Sequence, residues 1–87
     1  IGLYALLSNT CGKHNTAIGN ESLRNNISGC YNIALGTSSL RGNTTGTYNT
    51  AIGNNALYNN INGGANAAIG DSALLSNTTG SYNYQIY

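Results

Sequence analysis

The segment Asn49-Thr50-Ala51-Ile52-Gly53-Asn54-Asn55-Ala56-Leu57-Tyr58-Asn59-Asn60-Ile61-Asn62-Gly63-Gly64-Ala65 is followed at once by Asn66-Ala67-Ala68-Ile69-Gly70, where the pattern Asn-x-Ala-Ile-Gly begins again. The return distance is 17 residues, and it holds in both directions along the chain. Gly2, Gly19, Gly36, Gly53 and Gly70 form one column of the repeat, and Leu6, Leu23, Leu40, Leu57 and Leu74 form another. Asn9, Asn26, Asn43, Asn60 and Asn77 form a third, Gly12, Gly29, Gly46, Gly63 and Gly80 a fourth, and Asn15, Asn32, Asn49, Asn66 and Asn83 a fifth. No insertion interrupts them, so the 87 residues divide into repeats 1–17, 18–34, 35–51, 52–68 and 69–85, followed by 86–87. Residues 1–87 therefore read as a single repeat domain, and a fixed period of this kind is the mark of a stacked architecture.

Two glycines at fixed places mark two corners per unit, where the backbone needs positive φ or has no room for a Cβ. Between the corners lie two short segments. Tyr48 to Ile52 alternates as a strand, with Tyr48, Thr50 and Ile52 on one face and Asn49 and Ala51 on the other. The Ala-Leu-x-x-Asn-Thr segment, as at Ala73 to Thr78, is read as a second short strand. Helix is disfavoured, because glycine costs about 1 kcal/mol at each helical position and Asn is a weak helix former. The expected fold is all-β: a parallel β-solenoid, or β-roll, of five 17-residue coils with two short strands and two Gly corners per coil.

In such a stack identical residues recur about every 4.8 Å along the axis. The two Asn columns would then form amide ladders, as in cross-β stacks, or satisfy corner backbone groups locally. The small face of Asn15, Ala17 and their equivalents suits a thin interior. The column Ile1, Ile18, Leu35, Ile52, Ile69 and Ile86 would then point outward and form an apolar assembly stripe. The competing assignment puts these residues inside and gives a monomer; the patch argument favours the oligomer.

The segments Asn49 to Leu57 and Asn77 to Gly80 resemble repeats of phage tail fibres and bacterial surface fibre proteins. The core Asn-x-Ala-Ile-Gly, at Asn15 to Gly19, Asn49 to Gly53 and Asn66 to Gly70, is also similar to the head repeat of trimeric autotransporter adhesins. That resemblance implies a parallel β-roll with three chains side by side, although the 17-residue period here is longer than the family's unit. It implies an extracellular fibre segment, on a cell surface, in a secreted filament or on a virion.

Composition excludes other classes. Charged residues make up 6% of the chain and net charge is +1. Three scattered cations cannot neutralise a phosphate backbone, so no nucleic-acid partner is expected. No apolar run approaches the ~20 residues of a membrane helix, and no membrane insertion is expected. The lack of a signal-like segment and of an initiating Met suggests a processed product or an excerpt. Glu21 and Asp71 lie three coils apart, roughly 14 Å at the strand spacing, too far for a carboxylate pair. His14 is four repeats from Asp71, so no Ser-His-Asp triad closes. No enzymatic activity and no cofactor are expected.

Cys11, Cys30 and His14 are the only ligand-type cluster. A Cys11–Cys30 disulfide, unpaired or intermolecular thiols, and a metal site short of a fourth ligand all remain open. Asn20, Asn26, Asn43 and Asn77 each begin an N-x-[ST] sequon and are candidate N-glycosylation sites, although a chain rich in Asn and Thr makes sequons by accident. His14, Tyr31, Tyr48, Ala65 and Tyr82 share one column. It either covers the coil edge or, with Asn, offers a lectin-like face to surface glycans. An ice-binding face would need a regular Thr column, and Thr10, Ile27, Thr44, Ile61, Thr78 alternate instead. The function expected is a structural shaft, spacer or adhesin head that self-assembles as a trimer or end to end; the alternative is a glycan-binding module.

Overall fold

The computed structural model describes residues 1–86. They form the expected all-β parallel solenoid, and the described residues contain no helix. Each of five strands is three residues long: β1 Thr16–Ile18, β2 Ile33–Leu35, β3 Thr50–Ile52, β4 Ala67–Ile69 and β5 Tyr84–Ile86. They pair in chain order in one parallel sheet. The register is one full repeat at every step, as in Ala34 opposite Ala51 and Leu35 opposite Ile52. Strand alternation then does what period two requires. Ala17, Ala34, Ala51 and Ala68 point in and are buried, and the flanking residues point out. Only a small side chain fits this close to the opposite wall.

The opposite wall differs from the sequence reading: the Ala-Leu segment is a run of turns. In the third coil Ser39 N–H donates to Gly36 O at 3.2 Å, Arg41 N–H to Ser38 O at 3.2 Å and Asn43 N–H to Leu40 O at 3.1 Å. The first two turns each carry a residue with positive φ at their third place, Ser38 at 60° and Leu40 at 52°, the pattern of a type II turn. Every Leu of the column takes this left-handed conformation, with φ between 50° and 53°. That conformation costs a side-chain-bearing residue roughly 1–2 kcal/mol. It is held because Leu23, Leu40 and Leu57 are completely buried against the alanine column, and burying a Leu contributes roughly 1.5–3 kcal/mol. The turn backbone also pairs with the next coil: Leu40 N–H donates to Ala56 O at 2.9 Å and Leu57 N–H to Ala73 O at 2.9 Å. Inter-coil bonding is thus not confined to the strands.

The remaining interior is polar and fully paired. In the first Asn column each amide donates to the side-chain oxygen one coil back: Asn26 to Asn9 at 3.0 Å, Asn43 to Asn26 at 2.8 Å, Asn60 to Asn43 at 2.9 Å and Asn77 to Asn60 at 2.9 Å. The same nitrogen also donates to the carbonyl three residues on, as from Asn43 to Gly46 O at 3.1 Å. The second column works differently. The Nδ2 group of Asn32 donates to Gly46 O at 2.8 Å, and its Oδ1 accepts the backbone N–H of Asn49 at 3.0 Å. Gly46 O therefore accepts from both columns. No buried side-chain nitrogen or oxygen among the described residues lacks a partner, which is what a polar core in low dielectric requires.

The two glycine columns have different causes. Gly53 has φ +130°, and a Cβ there would lie 2.4 Å from Gly70 O. Gly46 has no such dihedral. A Cβ on it would lie 2.3 Å from Asn43 Oδ1 and 2.5 Å from Gly63 O. The first column is glycine for conformation and space, the second for space alone.

Candidate functional site

With Ala, Leu and Asn turned inward, the outer surface carries whatever the chain offers a partner. The Ile/Leu column, expected from the sequence to be an assembly stripe, lies on the outer face of the sheet. Ile1, Ile18 and Ile86 are exposed, and Leu35, Ile52 and Ile69 are half-buried. Ile33, also exposed, points out from the other end of β2 and widens the apolar face. A contiguous apolar face of this kind is normally a contact surface.

The inter-coil register runs from Ile1 to β5. The Ile1 nitrogen donates to Ala17 O at 2.6 Å, and Gly19 N–H donates to Ile1 O at 2.7 Å. β5 pairs with β4 in the same register. Gln85, which takes the place of the column alanine, is exposed, and its Oε1 accepts the Leu74 N–H at 2.7 Å.

The aromatic column stands on one side of the coil, and each of its members has φ between 55° and 60°. That shared conformation projects the rings in register. His14 and Tyr31 stack with centroids 4.8 Å apart and planes 17° apart. Tyr31 and Tyr48 stack at 5.0 Å with planes 1° apart. The separation equals the rise between coils, so the solenoid itself sets the stack.

Charge is gathered as well. Glu21 binds Arg24 at 3.3 Å and Arg41 at 3.0 Å. Arg24 lies over the Tyr4 ring at 5.1 Å and Arg41 over the Tyr58 ring at 5.7 Å. These side chains are about a third exposed, so the ion pairs are screened and contribute little to stability. Repeat position alone, rather than any motif, announces this cluster: Arg24, Arg41 and Tyr58 occupy one column, Tyr4 and Glu21 another.

Of the states the sequence leaves open for the two cysteines, the structure has free thiols at both Cys11 and Cys30. Each sulfur is held by a different backbone group: the Cys11 thiol is 3.9 Å from Ile27 O, whereas Cys30 donates to Ser28 O at 3.3 Å and accepts the Lys13 N–H at 3.4 Å. Three of the four sequons are also sequestered. Asn26 and Asn43 are fully buried, and the amides of Asn26, Asn43 and Asn77 are the ladder donors. A glycan on any of these nitrogens and the ladder exclude each other. Asn20 is exposed, and only its Oδ1 is engaged, by Leu3 N–H at 3.3 Å.

No group of three His, Cys, Asp or Glu side chains among the described residues is placed to hold a metal ion. No protein-family model, curated protein or solved structure matches the chain, so the repeat, the ladders and these surfaces are what characterise it.

Proposed function

We propose that this chain is a structural repeat segment of an extracellular fibre or filament, a shaft, spacer or adhesin head that assembles with copies of itself. The observation that supports it best is the outward Ile/Leu column along the sheet. An apolar flank of this kind is a surface that partner chains cover. Three chains side by side, as the resemblance to adhesin heads implies, would cover the flank; end-to-end stacking would extend the solenoid. The chemistry of the surface fits a scaffold more than a catalyst, since Glu21 is engaged by two arginines.

The test is sedimentation velocity on the parent chain and on the double variant Leu35→Asp with Ile52→Asp. The parent should run as a trimer or a larger species. The variant should keep its far-ultraviolet spectrum and lose association by about 30-fold or more, the equivalent of roughly 2 kcal/mol of apolar burial. A parent that stays monomeric at every accessible concentration would overturn the reading.

A second reading, a glycan-binding face, is favoured by the exposure of the stacked Tyr31 and Tyr48 rings. It predicts glycan-array signals that disappear in Tyr48→Ala. Signals that persist in that variant, or none at all, would remove it.

A further inference from the structure

The aromatic column is interrupted at one coil. Ala65 stands where Tyr31, Tyr48 and Tyr82 stand, and its neighbour Gly64 has no side chain either. The two truncations in one coil leave a cleft of about 150 Å³, lined by Thr47, Tyr48, Gly64, Ala65, Ser81 and Tyr82. A cavity of about this size accepts benzene in an engineered protein core.

Exposure follows the interruption. Tyr31, covered on both faces by His14 and Tyr48, is 49% exposed, whereas Tyr48, with one face open to the cleft, is 63% exposed. Tyr48 and Tyr82 sit two coils apart, about 10 Å at the strand spacing. One ring midway between them would lie about 5 Å from each, the separation already present between Tyr31 and Tyr48 and within the stacking range.

We propose that the cleft at Ala65 is a binding slot for one flat, uncharged aromatic ring of the phenol type, which completes the column. One wall is the Tyr48 face turned away from Tyr31, and Tyr82 lines the other side; aromatic walls favour an offset-stacked aromatic guest over an aliphatic one. No charged side chain lines the cleft, so the guest is neutral. The floor is already paired: Ala65 N–H donates to Thr47 O at 3.0 Å, Tyr82 N–H to Gly64 O at 3.1 Å, and Gly64 N–H to the Ser81 hydroxyl oxygen at 3.1 Å. The hydroxyls of Thr47 and Ser81 border the slot and give a phenolic O–H polar neighbours. The inference does not depend on self-assembly.

The experiment is nuclear magnetic resonance titration of the full chain with p-cresol, read on the Ala65 methyl and by saturation transfer to the p-cresol methyl. The expected result is a saturable upfield shift of the Ala65 methyl with a midpoint of about 1–10 mM, the range for an eight-atom ligand. Cyclohexanol and methyl glucoside, run in parallel, should bind at least 10-fold more weakly. Ala65→Tyr should abolish the transfer signal and raise Tm by about 5 °C, because it builds the missing ring into a backbone conformation that its column already uses for Tyr. Tyr48→Ala, which removes one wall, should weaken binding about 10-fold whether or not Ala65→Tyr folds. The proposal is overturned by any of four results: no saturable shift with p-cresol, cyclohexanol or the glucoside binding as tightly, p-cresol binding unchanged in Tyr48→Ala, or a folded Ala65→Tyr that melts no higher than the parent.

Discussion

Asn43→Leu is expected to destabilise the chain strongly, although Leu has the same branched heavy-atom skeleton and the site is fully buried. The substitution deletes two donated bonds, to Asn26 Oδ1 at 2.8 Å and to Gly46 O at 3.1 Å. It also deletes the acceptor that Asn60 Nδ2 uses at 2.9 Å. Each buried group left without a partner costs about 1–3 kcal/mol. Gly46 O keeps its second donor, Asn32, so Asn26 Oδ1 carries most of the acceptor loss. Asn60 Nδ2 keeps Gly63 O at 3.0 Å, which moderates the donor loss. The sum is about 3–5 kcal/mol against a total stability of roughly 4–13 kcal/mol for a chain of this length. The apolar gain from Leu is small, because its neighbours at this level are polar. Urea unfolding followed by circular dichroism should show the midpoint lowered by about a quarter or more, or no folded baseline. Asn62→Leu is the matched control: Asn62 is exposed, so the midpoint should move by no more than about 0.5 kcal/mol equivalent. Equal effects at the two positions would show that the ladder is not a principal source of stability.

The difference between those two asparagines was legible only as recurrence. Asn43 belongs to a column and Asn62 does not, and a column is what stacking amplifies. Recurrence likewise revealed the strand, the inward Ala51 and the outward Ile52, because period two leaves no freedom once one face is assigned. It did not reveal Leu40. A Leu within an alternating pattern reads as strand, and its inward aim depends on a left-handed φ of 52°, which propensity argues against. The contacts that stabilise this conformation, the alanine column and the carbonyl of Ala56, come from elsewhere in the coil and from the next coil. The surroundings of the sequons were hidden for a related reason: the motif at Asn43 is local, whereas its burial is set by coils on either side. Surface features were half visible. The gap at Ala65 is plain in the column, but its meaning as a slot requires rings held in register, which only the shared backbone conformation supplies.

Gly46→Ala is expected to be as damaging as the loss of an Asn, and it isolates the close approach from backbone strain. In most folds this substitution is mild and, where φ is negative, can stabilise by about 0.4–1 kcal/mol through the unfolded chain. Gly46 has no positive φ, so no conformational penalty offsets that gain. The obstacle is space. The added methyl would sit 2.3 Å from Asn43 Oδ1, 2.5 Å from Gly63 O and 3.0 Å from Asn49 Nδ2. All three atoms belong to the ladder network. Gly63 O cannot retreat without lengthening the bonds it accepts from Asn49 at 2.8 Å and Asn60 at 3.0 Å. Asn43 Oδ1 cannot turn without releasing the Asn60 amide. Relief therefore means parting two coils, and the strain cannot be absorbed by a single flexible side chain. Overpacking alone costs about 1–3 kcal/mol, and each buried bond broken to relieve it adds about 1 kcal/mol. The expected loss is about 3–5 kcal/mol, read as a fall of the urea midpoint comparable to that of Asn43→Leu. Gly64→Ala supplies the contrast within the same repeat type. Its nearest atom is Thr47 O at 3.0 Å, a tight contact with one backbone oxygen outside the ladder, so its midpoint should fall much less than that of Gly46→Ala. If Gly46→Ala melts like the parent, the coils are further apart than a shared carbonyl requires, and the second glycine column must have another cause.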